Sequence, residues 1–166
     1  MINYICLMVL CILAVIQDIR SRKIKNQFNV LCTVIGFLCV ICTGEITIKD
    51  SIRGLFFAVV LGILMWKLGI IRAGDAKFMW CIGVLKGWKH FGISMIYTIL
   101  LGGVMALGIM LVKRDAKRRF VRLGTYLKSV FLTKKMERYE AENPEEFPFS
   151  IPLALGCFIE FFIRGV

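Results

Sequence analysis

Apolar residues in this chain come in long blocks, at 2–16, 28–41, 52–71, 78–85, 91–112 and 149–163, with short polar stretches between most of them. Such blocks predict helices, and a helix needs about 20 apolar residues to cross a bilayer. The third and fifth blocks reach that length. The first and last fall a little short, and polar flanks extend the second. The fourth, from near Gly74 to near Trp88, is too short unless its polar start faces protein or a water-filled cavity. The pattern predicts an all-α polytopic membrane protein of about six transmembrane helices, with 1–166 as a single domain.

The polar positions orient these helices. Arg20, Arg22, Lys23 and Lys25 follow the first block, and a heavily basic stretch follows the fifth. On the other side, 44–51 mixes Glu45 and Asp50 with Lys49, while Lys86, Lys89 and His90 flank a tight turn. The positive-inside rule then places the odd-to-even connections in the cytoplasm and both termini outside. The connection 113–148 is the one substantial soluble piece. Phe120, Leu123, Leu127, Val130 and Phe131 recur there at helical spacing among Arg122, Lys128, Lys134 and Lys135. That pattern predicts a basic amphipathic helix in the headgroup region, leading through an acidic linker into the last helix.

Composition changes this picture little. Hydrophobic residues make up 58% of the chain, and 22 Lys and Arg against 11 acids give a net charge of +11. Because the excess abuts apolar spans, membrane lipids are the expected partner rather than nucleic acid. Residues 1–16 lack a basic start and a cleavage site, and read as a first span rather than a leader. Six of the seven cysteines lie within or at the edges of apolar blocks, where a thiol behaves as a small hydrophobe. Cys39 and Cys42 form a lone CxxC, and the single His90 is distant in sequence, so no metal or cofactor is expected. One histidine also argues against Ser-His or Cys-His catalysis.

Two aspartates carry the candidate chemistry. Asp50 and Asp115 fall in solvated stretches, but Asp18 ends the first span and Asp75 opens the fourth helix. In the topology above both reach the same membrane face. Ionisable residues near a membrane interior are functional candidates by default. Two close carboxyls share a proton, so that one can activate water while the other protonates a carbonyl oxygen. Gly74 would admit an extended substrate backbone beside Asp75. Each aspartate also has an ordinary reading: Asp18 pairing with Arg20 or Arg22, and Asp75 capping its helix.

The surrounding residues resemble a known family. Asp18 followed by Ile24, Lys25 and Asn26 is similar to the first motif of type IV prepilin peptidases, an Asp followed at a fixed interval by Ile-Pro-Asn. The run Ala73-Gly74-Asp75-Ala76-Lys77 resembles their GxGD motif, and 147–156 resembles their Pro-Phe-containing start of the last helix. Arg72 stands in place of the first motif glycine, and Lys25 in place of the proline. The resemblance implies a compact, peptidase-only aspartyl protease of a prokaryotic cell membrane. Its dyad would be Asp18 and Asp75, facing the cytoplasm, with Gly74, Lys77 and Asn26 in support. It implies cleavage of leader peptides from prepilin-like substrates without N-methyltransferase activity. Two other classes remain: an ion-coupled transporter using the same aspartates, and a catalytically silent pilus or secretion assembly subunit. Sequence leaves the oligomeric state open.

Overall fold

The computed structural model describes residues 2–21, 26–112 and 149–164, all helix or short connection. The predicted surface helix and linker within 113–148, and the motif residue Lys25, lie outside them. Helices α1 (Ile2–Ser21), α2 (Asn26–Thr43) and α3 (Ile48–Lys67) follow the first three apolar blocks. Helix α3 ends in a Schellman turn. Gly69, at φ 72°, donates its N–H to Trp66 O, and Ile70 N donates to Met65 O. Glycine meets the left-handed geometry of that position without a Cβ clash. This stop, at 67 rather than 71, releases residues 68–72 to turn the chain into the next helix.

That helix, Ala73–Val112, is broken at Gly87, whose φ of 70° and ψ of 173° are essentially glycine-only. We label its two arms α4 (73–86) and α5 (88–112), and the last helix, Ser150–Arg164, α6. The arms run in opposite directions. Gly74 O, at the start of α4, accepts from Asn29 Nδ2 near the start of α2, and Val84 O accepts from Ser51 at the start of α3. In α5, His90 meets Glu160 near the end of α6, whereas Gly102 lies against Phe149 and Pro152 at the start of α6. The tight turn expected around Lys86–His90 is therefore present, formed by one residue.

Small residues let α3 and α4 approach closely. A Cβ at Gly54 would collide with Gly83 O, and one at Gly83 would lie 2.5 Å from Gly54 O and 2.8 Å from the Ala58 Cβ. Gly54, Ala58 and Gly62 form a stripe at four-residue spacing, a device that membrane helices use to pack backbone against backbone.

The surface is apolar and much of the polar chemistry is inside. Phe56, Val104 and Phe162 are among many exposed large hydrophobics, while Asn3, Asp18, Asn29, Asp75, Lys86 and Glu160 are buried. Contiguous exposed apolar area on this scale belongs in lipid. Among the described residues, three helical stretches are long and apolar enough to cross a membrane: Ile2–Ser21, Asn26–Thr43 and Ala73–Gly108, the last made of the two arms α4 and α5. Length and composition thus support these three stretches, against the expected six or so spans. Helix α3 carries Lys49, Asp50 and Arg53 in its first turns and is not among them, and α6 has only 15 residues.

At the Gly87 end, Lys86 flanks the turn as expected, but its side chain points into the bundle. Its Nζ donates to Glu160 Oε2 at 2.6 Å, to Ser94 Oγ at 2.7 Å and to Cys157 O at 3.2 Å, and both ion partners are fully buried. His90 Nδ1 lies 2.9 Å from Glu160 Oε1. An unpaired charge inside a membrane bundle is costly, and α6 supplies the partner that the turn could not.

Candidate active site

The two aspartates occupy the opposite end of the bundle from Gly87. Asp18 lies in the last turn of α1 and Asp75 in the first turn of α4, 4% and 3% exposed. Residues 57 apart in sequence thus bring two buried carboxyls within electrostatic reach of each other.

Each carboxyl is held from a different side. With α4 beginning at Ala73, Arg72 is its N-cap and Asp75 its third residue. The Asp75 carboxyl reaches back to the Arg72 backbone N–H, half of a capping box. The ordinary capping reading of Asp75 is thus partly met, from inside the helix rather than at its N-cap. Asp18 accepts a hydrogen bond from Ser150 Oγ at 2.5 Å. Ser150 is 2% exposed and opens α6, where Pro152 costs nothing because first-turn N–H groups have no helical acceptor. Phe149 O closes that turn by accepting from Leu153 N at 3.2 Å.

Among the expected supporting residues, Gly74 is half-buried beside Asp75, and its carbonyl accepts from Asn29 Nδ2 at 2.9 Å. Lys77 and Asn26 meet each other: Lys77 Nζ donates to Asn26 Oδ1 at 2.9 Å in an exposed contact. That contact ties the first turns of α2 and α4 together beside the aspartates. Ser150 and Asn29 were not among the expected site residues. Ser150 lies 132 residues from its partner in sequence, and a lone serine or asparagine at a helix start reads first as a cap.

Two buried carboxyls within electrostatic reach, with a glycine backbone beside one and a hydroxyl on the other, can divide acid and base roles between them. No solved structure matches this chain. Among curated proteins, the preflagellin peptidase of Methanococcus maripaludis is 35% identical over 91 residues, covering 51% of this chain and 39% of that protein. The Methanococcus voltae preflagellin peptidase is 38% identical over 79 residues, 45% of this chain and 34% of its own length. The prepilin leader peptidase/N-methyltransferase of Aeromonas hydrophila is 22% identical over 117 residues, 66% of this chain and 40% of that protein. The chain thus spans less than half the length of these relatives. Residues 5–107, which hold both aspartates, match the type IV leader peptidase family, and the chain belongs to that family.

Proposed function

We propose that this chain is a membrane aspartyl endopeptidase that removes leader peptides from prepilin-like or preflagellin-like precursors at the cytoplasmic face, with Asp18 and Asp75 as its dyad. The observation that carries this reading is the pair of buried carboxyls, one in the last turn of α1 and one in the first turn of α4, at the same end of the bundle. One carboxyl, ionised, takes a proton from water as the oxygen attacks the scissile carbonyl. The other, protonated, donates to the carbonyl oxygen, and proton transfer to the amine completes the cleavage. Ser150 holds Asp18 Oδ2 and leaves Oδ1 for water. Gly74 offers a backbone edge to an extended substrate, and the Lys77–Asn26 contact steadies the two helix starts around it.

Family membership supports peptide cleavage, and the exposed apolar surface supports a multi-pass arrangement of about six spans. In that arrangement α4 and α6 are short because their polar ends face protein. The reading assigns this stretch of chain no N-methyltransferase activity. In its one CxxC, Cys39 Sγ lies 3.4 Å from Cys6 Sγ in a partly buried contact, and Cys42 is exposed.

Purified chain in proteoliposomes, incubated with a precursor bearing a basic leader and an apolar mature start, should yield two fragments visible by mass spectrometry. Ion flux without any cleavage would support a transporter instead, and neither activity would support an assembly subunit.

A further inference from the structure

Helices α3 and α5 enclose a groove that the peptidase reading does not use. It has a volume of about 810 Å³, with walls that include Phe57 and Leu61 of α3 and Ile96 of α5. Phe57 and Ile96 are 41% and 60% exposed, so the groove opens on the outer surface of the bundle. Behind that wall the buried Phe91 packs edge-on against Phe57, with ring centroids 5.7 Å apart. At the Gly87 end, away from the aspartates, the apolar walls give way to Arg53, Trp88 and Lys89, and among the described residues no acid lines the groove.

The chemistry changes sharply along its length: hydrocarbon for most of it, two cations and an indole at one end. A second, polar cavity of about 440 Å³ shares Arg53, Trp88 and Lys89 with it. The acids on that side already have partners. Glu45 accepts from the backbone N–H groups of Ile2 and Asn3, and Asp50 accepts from Thr47 Oγ1 at 2.6 Å and pairs with Arg53 at 3.6 Å. The Lys89 ammonium lies 5.7 Å from the Trp88 ring centroid, and the Arg53 side chain is 68% exposed. Lys89 can therefore turn towards an anion at the groove mouth, and Arg53, which meets Asp50 through Nη1 in an exposed pair, can reach it with the rest of its guanidinium.

We infer that this groove is a binding site for one anionic phospholipid, with an acyl chain between α3 and α5 and the phosphate at Arg53 and Lys89. Basic side chains at the end of an apolar groove between helices suit an anionic headgroup, and an indole such as Trp88 suits a headgroup boundary. A zwitterionic lipid would fill the same walls, so the two cations supply the selectivity. The site is independent of the peptidase dyad.

Native mass spectrometry of the full chain, released from nanodiscs holding equal phosphatidylglycerol and phosphatidylcholine, tests this. The expected result is one retained phosphatidylglycerol in about tenfold preference, given the attraction of two basic residues near a lipid surface. Arg53→Gln with Lys89→Gln should abolish the preference while leaving precursor cleavage intact. Ile96→Trp, which fills an exposed wall position, should lower retention of both lipids. Equal retention of the two lipids by the unaltered chain would overturn the inference, as would an unchanged preference in the double variant. Displacement of the lipid by millimolar glycerol phosphate would overturn the acyl-chain assignment. Asp18→Asn should bind lipid normally, so failure here and failure of the peptidase reading are separable.

Discussion

Ser150 is the residue whose loss separates geometry from chemistry. Its hydroxyl holds one oxygen of Asp18, and hydrogen bonds to charged groups are worth about 1.5–3 kcal/mol. Ser150→Ala should lower kcat for precursor cleavage by at least roughly tenfold with little change in KM, and Ser150→Thr should restore much of it. Thermal unfolding should change little in either variant. A fall in unfolding temperature matching the fall in rate would make Ser150 merely structural. The other residue-scale prediction concerns Lys86. Removing one member of a buried ion pair costs about 3–5 kcal/mol, so Lys86→Met should unfold at markedly lower temperature. Lys86→Met combined with Glu160→Leu should recover part of the loss. Unaltered stability in Lys86→Met would contradict the pairing of Lys86 with Glu160. The aspartates could be read from the sequence because carboxylates beside apolar blocks stand out. Lys86 could not, since it abuts a turn and its partner lies 74 residues away. The available signal was Glu160, an acid inside the last apolar block, which demanded a partner.

At the scale of elements, glycines decide how the helices meet. Gly83→Leu should separate α3 from α4, because even a Cβ there would press on the Gly54 backbone. Gly92→Ala makes a suitable control, since its Cβ would meet Phe57 at an ordinary 3.5 Å. Protein yield and unfolding temperature in detergent should fall sharply for the first and hold for the second. Gly87→Ala should cost about 1–3 kcal/mol, the strain of a side chain in glycine-only backbone geometry. The positions of the helices were legible because apolar blocks mark them. Their ends were less so. The stop at Lys67 depends on the local chemistry of Gly69, which an apolar run through Ile71 conceals. The small-residue stripe on α3 is visible in the sequence, but its counterpart Gly83 emerges only once the helices are packed.

At the scale of the whole molecule, one bundle has two chemically distinct ends. The aspartates and the first turns of α2, α4 and α6 form one end, and the Gly87 turn, the Lys86–Glu160 pair and the cationic groove mouth form the other. Membrane character and family were legible in composition and motifs. The lipid groove was not, because it draws on two helices whose adjacency no local pattern encodes. The most direct test of the central claim is cleavage of a reconstituted precursor by Asp18→Asn and Asp75→Asn, each checked for normal insertion and unfolding temperature. The account predicts that each falls by roughly 10²–10⁴-fold, the contribution of a positioned acid or base. Cleavage at the unaltered rate by either folded variant would contradict it.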